Sequence, residues 1–410
     1  MHFANFEGTF NNMASAGRPR TLDTSARVLQ LDVVVEGSSL DMGTEQGVKL
    51  RERIRAGRDI LANLEAFRLM QPSWMPYVIF KKLCELKASR ALAEPLRRDF
   101  PEAAERLSGI AIGAGVDLRT IHLFTAIEAA MSERNDSTTV PALGGCSAIA
   151  VRRAMSASGE PIIARNFDYL SDVRPLYSIR KTLPSQGLRS LDFTMAPFAG
   201  TVDGVNENGL CITYNYAYTT DTEIASAPIS IVVAEALQRC STVREAIAWV
   251  HSRPRWGGGI LMLADADGEI ASLELSSTRA EARIARQGQD VLFHNNNFWT
   301  DSMREVQVPD TAVYSTKAPA VLRGRSLHES AMRRTSRLRT LLEVKEGLSI
   351  EAVGRIMSDH GDNNEPTDTT VCVHGPYWST TASLQLFPRS RRIRVAFDSA
   401  CSAQFVEFSL

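Results

Sequence analysis

Apolar positions along this 410-residue chain recur with two periods, and the switch between them falls near residue 145. Residues 1–28 show neither period and read as a polar, flexible lead-in. Val28 to Val35 alternates like a strand and is stopped by Glu36-Gly37-Ser38-Ser39. From Asp41 to about Met131 the spacing turns helical: Leu50, Ile54, Ile60, Leu61 and Leu64 fall near a 3.6-residue repeat, as do Leu118, Ile121, Phe124 and Ile127. Phe100-Pro101-Glu102 sets proline at a helix start, where its missing N–H costs nothing. Ser132 to Gly145 is dense in loop formers and reads as an exposed connection.

Beyond that connection the period drops to two. Cys146–Val151 and Pro161–Asn166 read as short strands joined by a turn at Ser158-Gly159-Glu160. Val205–Tyr216 holds another strand. Gly259–Ala264 and Ile270–Leu275 flank a hairpin-like Asp265-Ala-Asp-Gly268. Helical spacing returns at Ile229–Ser252 and Ser330–Met357, and strands at Thr380–Leu386 and Ile393–Phe397 close the chain. No internal repeat is present. The pattern predicts an α+β fold: a mostly helical piece over 29–145, then 146–410 with sheets and the helices packed on them, together one composite domain.

Composition narrows the function. Hydrophobic residues make up 44% and charged residues 23%, the balance of a globular protein. Lysine plus arginine number 46 against 47 aspartate plus glutamate, which argues against nucleic acid or an anionic membrane as partner. No apolar run approaches the roughly 20 residues of a membrane helix. Met1–Arg20 lacks the continuous apolar core of a signal peptide, so a cytoplasmic location is expected. GxSxG, HExxH, GxxxxGK and GxGxxG are all missing. Gly109, Gly113 and Gly115, like Gly257-Gly258-Gly259, read as close-packing or turn glycines. Asp359-His360 and Cys372-Val-His374 match no zinc spacing and read as structural histidines, so neither metal nor organic cofactor is expected.

The six cysteines are scattered, and most read as small buried hydrophobes. Cys146 differs because of its neighbours. It follows Gly144-Gly145 and begins a strand, and hairpin geometry returns Arg165 and Asp168 close to it. Scission of Gly145–Cys146 would give this residue a thiol and an α-amine, a nucleophile and base together. A cation at Arg165 would favour the thiolate, and Asp168 would orient the amine. The alternative on these residues alone is a buried cysteine beside a surface ion pair.

The same residues resemble a known family. Gly145-Cys146-Ser147 followed by Arg165-Asn166-Phe167-Asp168-Tyr169 is similar to the self-processing, cysteine-dependent N-terminal-nucleophile hydrolases, including bile-salt hydrolase and penicillin V acylase. The order of further motifs resembles the penicillin (isopenicillin-N) acyltransferase-like branch. These are Gly37-Ser-Ser-Leu-Asp-Met-Gly43-Thr-Glu-Gln-Gly47, then Pro101-Glu102 with Gly109-Ile-Ala-Ile-Gly113-Ala-Gly115, then Asp359-His360 with Cys372-Val-His374. Fungal acyltransferase members carry Gln-Asn where this chain has Arg165-Asn166, as the bile-salt hydrolases do.

The resemblance implies a four-layer αββα sandwich and a precursor that cuts itself at Gly145/Cys146, leaving its two fragments as a heterodimer. By Asn206-Glu-Asn-Gly-Leu210 and Thr213-Tyr214-Asn215-Tyr216 it implies Asn215 as an oxyanion donor. By His294-Asn295-Asn296-Asn297 it implies a second site asparagine, Asn296 ahead of Asn295. By Thr335-Ser336-Arg337 it implies Arg337 as a site cation. The implied activity is hydrolysis of a small N-acyl amide through a thioester on Cys146, in a pocket walled by Phe167, Tyr169, Tyr214, Phe298 and Trp299. Its alternatives are acyl transfer to an amine in specialised metabolism and an inactive relative used as a binding or scaffold protein. A papain-like protease would need a histidine partner in a recognisable motif, and the sequence shows none.

Overall fold

The structure, a computed structural model, describes residues 31–132, 144–223, 226–343 and 347–410. The lead-in expected over 1–28 and most of the connection before Gly144 lie outside those residues.

The N-terminal piece contributes strand β1 (Val33–Gly37) and six helices: α1 (Ser39–Lys49), α2 (Arg51–Asn63), α3 (Glu65–Arg68), α4 (Tyr77–Asp99), α5 (Pro101–Ala114) and α6 (Leu118–Ser132). Pro101 occupies the first turn of α5, as its lack of an N–H allows. The glycines of the two N-terminal motifs lie where α1 crosses α5. A Cβ on Gly43 would stand 2.2 Å from the Arg106 carbonyl oxygen, and one on Gly113 2.1 Å from that of Thr44. The two helices therefore meet backbone to backbone.

The second piece begins with β2 (Gly144–Val151), β3 (Ile162–Tyr169), β4 (Tyr177–Pro184), β5 (Ser190–Met195), β6 (Asp203–Asn206), β7 (Cys211–Tyr216) and the short β8 (Ala227–Pro228). Helices α7 (Ile229–Arg239) and α8 (Val243–His251) precede β9 (Arg255–Trp256), β10 (Gly259–Ala264), β11 (Ile270–Leu275), β12 (Ala280–Ile284) and β13 (Val291–His294). The chain ends with α9 (Asp301–Arg304), α10 (Glu329–Leu341), α11 (Ile350–Met357), β14 (Ser379–Phe387), β15 (Arg392–Ala396) and β16 (Val406–Ser409).

Two sheets face each other. One has the order β1-β4-β5-β6-β7-β10-β11-β12, the other β13-β2-β3-β14-β15-β16. Helices α1, α7 and α8 cover the first sheet, and α10 and α11 cover the second, giving four αββα layers. Inner strands are buried on both faces, so β2, β10 and β11 are buried throughout. Among the described residues no helix is long and apolar enough to cross a membrane.

Several expected boundaries shift. Gly144 and Gly145 are not exposed loop but the buried first residues of β2, opposite Tyr169 and Asp168. A Cβ on Gly144 would fall 1.7 Å from the Asp168 carbonyl oxygen, so only glycine lets β3 approach that closely. The helical stretch expected over 229–252 breaks at Cys240-Ser241-Thr242, where Thr242 caps α8 through the Glu245 N–H. The stretch over 330–357 divides into α10 and α11, and the strand within 205–216 is a β6–β7 hairpin.

Candidate active site

Strand alternation sorts the site into two faces. Cys146 pairs with Phe167 and Ala148 with Arg165, so these four side chains share the face turned toward the other sheet. Ser147, Asn166 and Asp168 take the opposite face, under α10 and α11. The cysteine and Asp168 thus lie on different sides of one strand pair.

On the inter-sheet side the Arg165 Nη2 donates to Cys146 Sγ at 3.1 Å and to the Tyr214 carbonyl. Its Nη1 donates to Asp203 Oδ2 at 2.5 Å and its Nε to Asn215 Oδ1 at 3.0 Å. Both members of the Arg165–Asp203 pair are fully buried. Burial pushes the Cys146 thiol up to about 11; Arg165 pulls it down, while Asp168 and Asp203 push it further up. Arg165 thus acts in the thiolate's favour, but desolvation outweighs it, and Asp203 neutralises much of the arginine's field. Burial likewise raises Asp203 to about 6, against the pull of Arg165.

Backbone atoms of Cys146 are held from the other side. Its N–H donates to Asn296 Oδ1 at 2.9 Å, and its carbonyl accepts from Arg334 Nη1 at 2.5 Å. Arg334 also donates to Ser147 Oγ (2.9 Å) and to Asn296 Oδ1 (3.0 Å), and lies 3.6 Å from Asp168 Oδ2. The Asn296 amide nitrogen donates to the Tyr216 carbonyl at 2.8 Å. Two donors converge on Asn296 Oδ1, which fixes the orientation of that amide. Asp168 accepts from Thr380 Oγ1 at 2.7 Å, and burial lifts its carboxyl to about 6 against the opposing field of Arg334.

Cys146, Arg165, Asp168, Asn215 and Asn296 therefore fall in one network. Asn296, rather than Asp168, bonds the Cys146 nitrogen. Asn215 donates to the Asn295 carbonyl at 3.1 Å and accepts from Arg165, so it braces the arginine. Asn295 points away, toward the Ala331 carbonyl and Thr335 Oγ1. Arg337 does not join; it forks onto Asp359 at 2.8 Å through both Nε and Nη2 and onto Asp362 at 2.6 Å. The site cation from α10 is Arg334, one turn earlier. Ala331, Arg334 and Leu338 form the buried face of that helix, and an arginine at apolar spacing is the signal that distinguishes it.

Above Sγ lies a cavity walled by Phe167, Tyr169, Met195, Phe198, Val202, Tyr214 and Tyr216, together with Ile127 and Glu128 of α6. Phe298 and Trp299, expected there, pack elsewhere: Phe298 against Ala217, Ile260 and Met303, and Trp299 against Phe293 and His294. Glu128 was not foreseen. It receives the Ser230 N–H at 2.9 Å and the Ser230 hydroxyl, and burial still raises it to about 7. Its place on the apolar Ile121–Phe124 face of α6 is the sequence signal. Asp203 left no such signal. A second cavity flanks Gly144 and Gly145, bounded by Tyr216, Asn296, Arg334 and Trp378. No histidine is among the described hydrogen-bond partners of Cys146.

Facing sheets covered by helices on both sides give the four-layer αββα architecture of the N-terminal-nucleophile hydrolase class. The chain belongs to the acyl-coenzyme A:6-aminopenicillanic acid acyl-transferase family, whose model matches residues 155–400. That span holds Arg165, Asp168, Asp203, Asn215, Asn296 and Arg334 and begins after Cys146. Solved structures similar to the chain include an N-acylethanolamine-hydrolyzing acid amidase ortholog from Caenorhabditis elegans (13% identity, TM-score 0.40, 65% of this chain and 100% of that one). Penicillin V acylase from Agrobacterium tumefaciens matches at 16% identity and TM-score 0.39, over 65% and 86% of the two chains. A variant of conjugated bile acid hydrolase from Clostridium perfringens matches at 13% and 0.36, over 65% and 97%. No curated protein matches the chain.

Proposed function

We propose that the chain is a precursor that cuts itself between Gly145 and Cys146 and then acts as a cysteine amidohydrolase on a small N-acyl compound. The observation that carries this reading is the clamp on Cys146: Asn296 on its nitrogen, Arg334 on its carbonyl and Arg165 on its sulfur. In the first reaction Sγ attacks the Gly145 carbonyl carbon, the thiol proton passes to the Cys146 nitrogen, and the peptide bond becomes a thioester. Water then releases the Gly145 carboxylate and regenerates the thiol.

After scission the nitrogen becomes an α-amine, a group that titrates near pH 8. Asn296 Oδ1 would hold one of its hydrogens, leaving the lone pair free to take the thiol proton. The nearby Arg334 charge disfavours a second cation and keeps that amine basic but neutral. The thiolate attacks the substrate carbonyl, the amine returns the proton to the leaving nitrogen, and water hydrolyses the thioester. Arg165 faces the charge that develops beside the sulfur. Aromatic and aliphatic walls suit an apolar acyl group, and the buried site suits a compact substrate rather than a polypeptide.

The family description names an acyl-transferase, so a thioester that passes its acyl group to an amine is the second reading. The test is a panel of N-acyl amino acids, lactams and N-acyl amines, with product masses read with and without an added acceptor amine. Release of free acid without acceptor supports hydrolysis. Acylated acceptor as the main product supports transfer. Digestion of unfolded protein with no release from any small amide would overturn both.

A further inference from the structure

Away from Cys146, three segments bring together side chains that the sequence kept apart. His360 lies in the turn after α11, Cys372 and His374 lie on the approach to β14, and Cys401 lies in the turn before β16. One ligand atom from each of the four falls within 4.8 Å of all the others. The spacing in sequence resembled no zinc template because the fourth member, Cys401, comes from a distant turn.

Hydrogen bonding, which includes contacts between Cys372 and Cys401 themselves, accounts for only part of this arrangement. Both Cys372 Sγ and Cys401 Sγ stand 3.4 Å from the same atom, His374 Nε2. A neutral imidazole nitrogen offers one lone pair or one proton, so it can serve only one of the two sulfurs. His360 Nε2 is buried without a hydrogen-bond partner, and the His360 and His374 rings stand 5.0 Å apart, edge to face. A tetrahedral ion with zinc–sulfur bonds of about 2.3 Å and zinc–nitrogen bonds of about 2.0–2.1 Å separates its sulfur and nitrogen ligands by about 3.6 Å. The two 3.4 Å separations are close to that edge.

We infer that His360, Cys372, His374 and Cys401 form a Cys₂His₂ site for a structural divalent metal, zinc by the softness of its donors. Two thiolates and two neutral imidazoles cancel the charge of the ion. Four protein donors close the coordination sphere, so the site holds structure and takes no substrate. The backbone around it is already braced. The Cys372 N–H bonds the Asp359 carbonyl at 3.1 Å, and the Asp359 side chain is clamped by Arg337, which gives that arginine a place in the fold. The Val373 N–H, between two of the ligands, donates to Thr380 Oγ1 at 2.8 Å, and that hydroxyl donates to Asp168. A metal here would fix the segment that supports Asp168.

The experiment uses the full chain, purified without chelator and then reconstituted with Zn²⁺ or Co²⁺ under reducing conditions. Elemental mass spectrometry is expected to find one zinc per chain. The cobalt form is expected to show the d–d bands of a tetrahedral site and a thiolate-to-cobalt charge-transfer band. Cys401→Ser and His360→Ala should lose zinc to the indicator 4-(2-pyridylazo)resorcinol under conditions where the wild type and Cys84→Ser retain it. Substoichiometric zinc with no charge-transfer band in the wild type would overturn the site. So would zinc retention by Cys401→Ser equal to that of the wild type. A Cys372–Cys401 disulfide, seen by mass in the chain as purified and persisting in reductant, would overturn it as well.

Discussion

At the scale of single residues, the account turns on how charge is distributed around one sulfur. Arg165 touches Cys146 Sγ but is tied to Asp203, and Asn215 holds the guanidinium by its Nε. Arg165→Ala should raise the thiol pKa further and slow alkylation of Cys146 by iodoacetamide at neutral pH. Asn215→Ala makes a sharper test. If Asn215 braces Arg165, its loss slows alkylation too. A pure oxyanion donor would instead cost about 10²–10³ in kcat and leave alkylation unchanged. Asp168 gives a pH signature. Its carboxyl titrates near 6, so it is neutral below that pH and charged above, where it can pair with Arg334. Scission of the precursor should therefore accelerate as pH rises through about 6, and Asp168→Asn should flatten that rise in a quench-and-gel time course. A rise of the same midpoint and amplitude in Asp168→Asn would contradict this assignment. The sequence reading located Cys146, Arg165 and Asp168 because two paired strands carry them. Arg337 was named from Thr335-Ser336-Arg337 and Arg334 was not considered, because a short motif fixes no helical face, whereas the buried Ala331–Arg334–Leu338 spacing does.

At the scale of elements, legibility followed burial. Strands with continuous apolar runs, such as β10 and β11, were readable. The β4–β5 pair was not, because its helix-facing positions carry Arg180 and Asp192, a fully buried ion pair that imitates surface composition. The edge strands β12 and β16 are half exposed and left no pattern of their own. Of the glycines read as close-packing or turn residues, Gly109 and Gly113 lie at the backbone contact with α1, and Gly115 ends α5 in the left-handed conformation. On an exposed helix, glycine to alanine stabilises by about 0.8–1.0 kcal/mol. At Gly113 the sign should reverse, because the new Cβ would meet the Thr44 carbonyl oxygen of α1. Gly113→Ala is expected to cost about 1–3 kcal/mol, the usual range for overpacking, in equilibrium urea unfolding. A gain in stability would refute the backbone contact.

At the scale of the whole molecule, the two pieces are parts of one core. The N-terminal piece supplies β1, paired in parallel with β4 at the edge of the larger sheet. Gln46 donates to the Ala196 and Phe198 carbonyls and accepts from Arg180, all in the second piece. Ile127 and Glu128 complete the cavity over Cys146. Scission should therefore leave a heterodimer that co-elutes on native gel filtration and separates only in denaturant. Fragments that part under native conditions would show that the α6 wall is dispensable.

The central claim is that Cys146 becomes an amino terminus by the chain's own chemistry. The most direct measurement is the intact mass of purified, denatured protein beside its Cys146→Ala counterpart. Wild type should resolve into two species, one near 45.1 kDa × 145/410 ≈ 16 kDa and the other the remaining ~29 kDa, the larger beginning at Cys146. Cys146→Ala should stay at full length. A wild-type chain that keeps its whole mass after prolonged incubation at neutral pH, or a Cys146→Ala chain cut at the same bond, would contradict the account.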